Sequence, residues 1–345
     1  QDLTIDSGVG IDSVSALGAL DYAGLPGWYA AGLPEAEQSE PYIHHFPDGN
    51  STIARKLVCR LIPDLVSGNS LENLITAKLD YELLDDPRND VSVRLNSTVI
   101  NVQNNKSAGG TVTVSYVRDN QLEKVSASKC ILACNSNVIP FICPELPDKQ
   151  KEALAFQVKV PILYTNVAVK NWEAWKNLGI GAMVCPGSYH IVSMLDFPVT
   201  YGNYEFSRNE REPIVIHMER FPHSYGSNLS AREQYKVGRY ELLTTSFETI
   251  ERNVREQLES SLSEGGFNAA KDILGITVNR WSHGYSYWYN PLFDPIYDDY
   301  NDSRYPHIIG RKKYGNITIA NADSAANAML ESAIEEAYRA VSELI

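Results

Sequence analysis

The stretch that decides the fold is residues 310–345, GRKKYGNITIANADSAANAMLESAIEEAYRAVSELI. Gly315-Asn316 reads as a turn and feeds a short apolar strand, Ile317 to Ala320. A polar, small-residue corner follows (Asn321, Ala322, Asp323, Ser324), and a helix is expected from there to the last residue. Leu330, Ala333, Ile334, Ala337, Val341 and Leu344 recur at three- and four-residue spacing, while Glu331, Glu335, Glu336 and Arg339 fill the other faces. This predicts a strand that delivers a carboxylate to the N-terminal end of a helix with one buried face. Such an end presents unpaired backbone N–H groups and partial positive charge, and suits an electron-rich ligand such as a flavin or a phosphate. An ordinary βα unit closed by an Asp or Ser N-cap gives the same pattern.

Bulk properties narrow the classes. With 345 residues the chain has room for one large domain or two ordinary ones. Hydrophobic content of 43% and charged content of 21% suit a globular protein. A net charge of -13 argues against a nucleic-acid footprint and would attract a cationic substrate. No run reaches membrane-spanning length. Cys59, Cys130, Cys134, Cys143 and Cys185 are odd in number and irregularly spaced, so they imply no disulfide framework, and no metal site is expected.

Gly8-Val9-Gly10 invites a dinucleotide-loop reading and fails it, because Ser13 stands at the third glycine position and no βαβ continuation follows. A short helix is expected over 13–20 and a loop over 23–40. Ser51 reads as the N-cap of a helix striped by Ile53, Leu57, Val58, Leu61 and Ile62 and ended by Pro63, with His44 and His45 before it. Residues 91–135 read as a three-stranded β-meander (VSVRLNSTVINV, GTVTVSYV, KVSASKCILAC). Strands are expected over 158–169, 183–195 and 213–218. Ser230 and Glu233 form a capping box that opens one long helix to about Glu264, with Gly238 its weak point and Gly265-Gly266 its end.

Residues 279–295, NRWSHGYSYWYNPLFDP, are the most aromatic stretch. Strand alternation would place Tyr285, Tyr287 and Tyr289 on one face, as a wall for a cationic ligand or as a core edge.

These blocks together resemble the flavin-dependent amine oxidoreductases, and within them the spermidine-dehydrogenase-like branch. HFPDGNSTIARKLVCRLIP (45–63), SFETIERNVREQL (246–258), ITVNRWSHGYSYWYNPLFD (276–294) and ITIANADSAANAMLESAIEEAYRAV (317–341) carry the similarity. The resemblance implies an α/β fold: the C-terminal part of an FAD-binding, Rossmann-type flavoprotein joined to an α+β, mixed-sheet substrate domain. Residues 1–150 and 301–345 would belong to the FAD-binding domain and 151–300 to the substrate domain.

It also implies site residues. Val99 would contact the adenine of FAD. Asp323, with Ala322 and Ser324 beside it, would stand behind the ribityl and phosphate groups, and Leu330 would lie against the isoalloxazine. Trp281 and Tyr285 match the family's W…G-Y signature, with Tyr285 one wall of an aromatic cage completed by Tyr287 or Trp288, since the other cage position falls near Met329. His283 is a candidate for assisting proton transfer. Many relatives place a lysine near flavin N5, and that position falls near Tyr164, with Lys159 close in sequence. The family's N-terminal G-x-G-x-x-G unit is absent, so an N-terminal FAD-binding partner, from a split gene or a cleaved half, is expected.

The implied reaction is oxidation of a di- or polyamine, with hydride passing from the carbon next to nitrogen to FAD. Asp294, Asp298, Asp299 and Glu205 are the acidic candidates for the distal ammonium. Two alternatives stay open: the same architecture acting on an amino acid or alkene, and a non-catalytic subunit that completes a partner's fold.

Overall fold

Alternation along residues 160–169 sends Leu163, Thr165, Val167 and Val169 to one face of a strand, and all four are fully buried. That strand is the organising element of the largest sheet. The computed structural model describes residues 7–14, 46, 48–68, 70–105, 110–197 and 200–345. Of the helix expected over 13–20, Ser13 ends a 3-10 turn, Ile11–Ser13; residues 15–20, the loop over 23–40 and the pair His44 and His45 lie outside the described residues.

Helix α1 (Ser51–Leu61) precedes strands β1 (Thr98–Asn104), β2 (Val112–Arg118), β3 (Gln121–Ala127) and β4 (Cys130–Leu132). Helix α2 (Asp148–Phe156) leads into β5 (Val160–Val169), α3 (Glu173–Leu178), β6 (Ala182–Val184), β7 (Val192–Asp196) and β8 (Ile214–Arg220). Helices α4 (Ala231–Thr244) and α5 (Phe247–Leu262) precede β9 (Ile273–Tyr285), β10 (Ile317–Ile319) and α6 (Leu330–Ser342). Among the described residues the strands form three sheets: β1-β2-β3, the pair β4-β10, and β6-β7-β8-β5-β9. The first and last are antiparallel, whereas β4 and β10 run parallel. The fold is mixed α/β.

The main core lies between α4–α5 and one face of the five-stranded sheet. Ile250, Val254, Leu258 and Leu262 recur every fourth residue on α5 and meet Leu163, Val167, Ile216 and Met218. Each such side chain contributes about 1.5–3 kcal/mol relative to exposure. The other face is packed at Val160 and Ile162 by Ala231 and Tyr235 of α4, and beyond them it carries Tyr164, Asn166, His217 and Glu219, all half-buried.

Several expectations change. The meander is present, but it starts at Thr98, and its third strand ends at Ala127. Cys130–Leu132 leaves that sheet to lie parallel to β10, with the Cys130 amide donating to the Asn316 carbonyl (3.0 Å). Asp119 and Asn120, with φ of 49 and 60, make the two-residue hairpin loop between β2 and β3. Residues 183–195 form the hairpin β6–β7 instead of one strand. Ser51 lies inside α1, where Asn50 is the cap position. Gly8 and Val9 serve packing: Val9 is fully buried, and a Cβ at Gly8 would lie 2.4 Å from Val160 Cγ1.

The long helix is two helices. The Ser230–Glu233 capping box opens α4 as expected, but Ser246, extended and accepting from the Thr249 amide (3.3 Å), starts α5 as a new N-cap. Gly238 is not a weak point. A Cβ there would lie 2.5 Å from the Pro222 carbonyl oxygen, so glycine permits close packing of α4 on the chain after β8. Helix propensity alone makes Gly238→Ala stabilising; the packing reverses the sign. We expect a loss of about 1–3 kcal/mol from overpacking, read as a lower urea midpoint. An unchanged or raised midpoint would count against the close approach.

The C-terminal helix also differs. A 3-10 turn over Ala322–Ala325 separates Asp323 from α6, and Asn321 caps that turn by accepting from the Ser324 amide (2.7 Å). The face of α6 turned inward carries Ser332, Glu336 and Ala340, while Ile334, Tyr338 and Val341 face solvent. Of the predicted stripe, Ile334, Ala337 and Val341 are exposed, and Leu330, Ala333 and Leu344 are half-buried. Glu336 is drawn inward because two arginines wait there: it accepts from Arg311 Nη1 (2.5 Å) and Arg339 Nε (2.8 Å).

Candidate functional site

The open face of the large sheet gathers aromatic and polar side chains by register. Tyr164 on β5 lies opposite Glu219 on β8 and Asn279 on β9, and Asn166 lies opposite His217 and Thr277. At the end of β9, the hydroxyls of Tyr285 and Tyr164 are 3.0 Å apart. The Tyr164 ring stands edge-on to His217, with centroids 5.1 Å apart. His217 in turn joins Asn166 Oδ1 through Nδ1 (2.8 Å) and Glu219 Oε1 through Nε2 (3.1 Å). Burial, and then the bond from Tyr285, pushes the Tyr164 hydroxyl well above the usual phenol range, so it stays protonated.

The second half of the site is the acid corner. Lys159, just before β5, donates to Asp323 Oδ1 (2.6 Å) and to Ser286 Oγ (3.2 Å). Asp323 Oδ2 accepts the Ser136 amide (2.9 Å). Both ends of the ion pair are buried, with 8% of the lysine side chain and 1% of the aspartate side chain exposed. Ser286 follows Tyr285 directly, so Lys159 ties the corner to the end of the aromatic strand.

Each predicted residue can now be placed. Trp281 and Tyr285 are on the edge strand β9 and exposed, at 54% and 38%. Strand β9 ends at Tyr285, so Tyr287 and Tyr289 do not share its face. Both are in the core, where Tyr287 donates to Asp294 and Tyr289 joins His307 Nδ1 (3.0 Å). Phe156, Tyr235 and Tyr289 surround the Tyr287 ring edge-on, which makes it a packing residue that does not reach the open face. Trp288 is exposed.

His283 is exposed and contacts Arg239 Nη1 (3.2 Å) and Ser282 Oγ (2.9 Å). Partial desolvation, then the Arg239 charge, lowers its pKa, which favours the neutral ring. Val99 sits on β1 opposite Tyr116 and is partly exposed. Ala322, Asp323 and Ser324 lie together in the 3-10 turn, and Leu330 is the first residue of α6. Met329, the residue before it, is exposed.

Of the acidic candidates, Asp294 is buried and engaged by Tyr287 and the Asn290 amide (2.8 Å). Glu205 pairs with Arg208 (3.3 Å) beside a hollow at the far end of the sheet, lined also by Ala168 and Val169. Asp298 and Asp299 are solvated. The Tyr164–His217–Glu219 cluster escaped the sequence reading, although ILYTNV and IVIHME both alternate apolar and polar residues, the mark of a sheet with one open face.

No family model matches the chain. No curated protein matches it either. Among solved structures it is similar to a putrescine oxidase variant from a redesign of cofactor binding, with 15% identity over 72% of this chain and 48% of that one, at a TM-score of 0.48. It is similar to cyclohexylamine oxidase from Brevibacterium oxydans IH-35A, with 11% identity over 71% and 47% of the two chains, at a TM-score of 0.46. It is also similar to wild-type putrescine oxidase bound to putrescine, with 13% identity over 72% and 48%, at a TM-score of 0.43. The chain spans about half the length of these structures.

Proposed function

We propose that this chain is the substrate-facing part of a flavin-dependent amine oxidoreductase acting on a di- or polyamine, working with an N-terminal FAD-binding polypeptide. The observation that carries this reading is the Asp323–Lys159–Ser286 bridge. The acid corner and the aromatic strand are the two most specific motifs of the sequence resemblance, and one buried lysine joins them beside Tyr285. On this reading residues 1–150 and 301–345 serve the cofactor and 151–300 the substrate.

The residues at the corner fit FAD. Among the described residues no side chain caps helix α6 at Leu330, so its first-turn N–H groups suit an electron-rich ring edge, and the buried Asn327 Oδ1 has no hydrogen-bond partner there. Ala322, Ser324 and Leu330 would line the cofactor, Val99 would meet its adenine, and Asp323 would hold the corner from behind through Lys159. FAD, when bound, would supply the two-electron acceptor for the carbon next to the amine nitrogen.

The chain's own residues orient the amine. Trp281 and Tyr285 offer ring faces to an alkyl ammonium. The Tyr164 hydroxyl fixes the direction of Tyr285. His283, held neutral, would assist proton transfer as the amine enters.

Two features support a partner. The stripe of Ile334, Tyr338 and Val341 on α6 is 42%, 74% and 45% exposed, and Phe141 is 82% exposed. Among the described residues the parallel pair β4–β10 has two strands, whereas parallel sheets are ordinarily larger and covered on both faces.

The test is an absorption spectrum of the native preparation before and after spermidine. A flavin band that bleaches with spermidine, with a companion polypeptide copurifying, supports the proposal; a colourless protein that takes up no FAD with any partner removes it. In the flavin-loaded complex Tyr285→Ala is expected to lower amine turnover on the order of 10²-fold with FAD retained, and Tyr285→Phe less. Unchanged turnover in the alanine variant takes Tyr285 out of the site.

A further inference from the structure

A row of tyrosine rings runs from the core to the surface, with Tyr289 at its hub. The Tyr289 ring centroid lies 4.7 Å from that of Tyr305, 5.9 Å from Tyr287 and 6.1 Å from Tyr300. These are contact separations for aromatic rings. Tyr287, Tyr289 and Tyr305 are buried, whereas Tyr300 is 41% exposed and meets solvent. An electron vacancy made at the surface ring therefore has a contiguous path inward.

The hydroxyl of Tyr289 decides where such a vacancy stops. It accepts the His307 amide (3.1 Å) and, more loosely, Gln157 Nε2 (3.5 Å). With its lone pairs taken, it directs its own proton at His307 Nδ1, 3.0 Å away. The bond of the His307 ring to the Tyr300 backbone favours a proton on the other nitrogen, Nε2. Burial, then the Arg311 charge, holds the His307 ring down at about 4, so near pH 7 it is neutral and Nδ1 is a bare acceptor. Among the described residues Tyr289 is the tyrosine whose hydroxyl bonds a histidine ring.

The neighbouring rings are served less well. Tyr300 donates to the Ala326 carbonyl (2.9 Å) and Tyr305 to the Tyr297 carbonyl (3.2 Å), and a backbone carbonyl does not take up a proton. The Arg304 guanidinium lies 3.8 Å over the Tyr297 ring and opposes positive charge there. Tyr287 has Asp294 as its acceptor but stands one ring deeper than Tyr289. A phenol that loses an electron becomes a strong acid, so the vacancy settles at the first ring that faces a base.

We propose that Tyr289 and His307 form a redox-active pair that traps an electron vacancy entering the protein at Tyr300. A one-electron oxidant of the peroxyl-radical or metal-complex class removes an electron from the Tyr300 ring, which takes one from Tyr289. The Tyr289 O–H bond breaks as an N–H bond forms at His307 Nδ1. The products are the reduced oxidant, a neutral phenoxyl radical on Tyr289 and an imidazolium on His307. An electron from a small thiol reverses the step, and the proton returns from Nδ1 to the phenol oxygen. Such a trap draws oxidising equivalents away from the exposed rings of Trp281 and Tyr285.

The experiment mixes the full chain, its histidines labelled with heavy nitrogen, with substoichiometric tris-bipyridyl ruthenium(III) and freezes the product for electron paramagnetic and electron–nuclear double resonance. A tyrosyl signal coupled to a histidine nitrogen is expected in the wild-type chain. The coupled signal should be lost in Tyr289→Phe and in His307→Gln, which keeps a hydrogen-bond acceptor but no base. It should be lost or much weakened in Tyr300→Phe and kept in Tyr240→Phe, an exposed tyrosine outside the row. A wild-type tyrosyl signal without nitrogen coupling overturns the proposal, and that reading depends on no variant folding. So does a coupled signal that survives in Tyr289→Phe or is undiminished in Tyr300→Phe.

Discussion

Asp323→Ala is expected to destabilise the folded chain by about 3–5 kcal/mol, the usual result of removing one partner from a buried ion pair. Lys159 would remain with 8% of its side chain exposed and, among the described residues, only the Ser286 hydroxyl as a partner. The Ser136 amide would also lose its acceptor. Most of the effect therefore comes from groups left unsatisfied rather than from the attraction of the pair itself. Exchanging both partners separates these contributions: Lys159→Met with Asp323→Ala should be less damaging than Asp323→Ala alone, because no buried charge remains. Urea denaturation of the single and double variants reads both. A double variant as unstable as the sum of its parts would mean that the two residues act independently. Flavin retention through gel filtration should fall in Asp323→Ala as the corner loosens.

Glu336→Ala is the second large effect, at about 3 kcal/mol. Among the described residues Glu336 is the carboxylate that bonds both Arg311 and Arg339, whose side chains are 18% and 21% exposed. Removing it sets two guanidinium groups against each other. Each keeps another contact, Arg311 with the Ser324 carbonyl (3.3 Å) and Arg339 with Glu343 (2.7 Å), which holds the loss below that expected at Asp323. The failure should be local, because Arg339 also donates to the Ile319 carbonyl and so fastens α6 to β10. Hydrogen exchange is expected to quicken in 330–342 and in β10 before it does in the five-stranded sheet. Uniform exchange across the chain would argue that α6 is not held by this network. Glu336→Gln, which keeps the size but not the charge, should fall between.

Much of the architecture follows from local pattern. Strand β5 is announced by alternation, α5 by its four-residue repeat, the β2–β3 loop by Asp119-Asn120, and the start of α4 by Ser230 and Glu233. These are interactions within a few residues, so composition and spacing carry them. The errors lie where a distant partner overrides the local preference. The chain at Cys130 leaves the meander because β10 is available beside it. The break at Ser246 is the exception, a local cap that accepts from the Thr249 amide. On α6 the periodicity was correctly helical, but which face points inward was decided by Arg311, twenty-five positions before Glu336 in the sequence.

For the candidate site, the residue types were legible and the partnerships were not. The aromatic run and the acid corner could be picked out as unusual, and Trp281, Tyr285 and Asp323 were named from them. Sequence alone could not tell Tyr285 from Tyr287 and Tyr289, since all three alternate alike. Only the end of β9 separates the exposed ring from the packed ones. Nor could it pair Lys159 with Asp323 across 164 positions, or set Glu219 opposite Tyr164. Sequence fixes which side chains a strand presents to each face, because the backbone repeat is local. Which carboxylate finds a cation depends on the register between strands, and that is settled only when the whole sheet assembles.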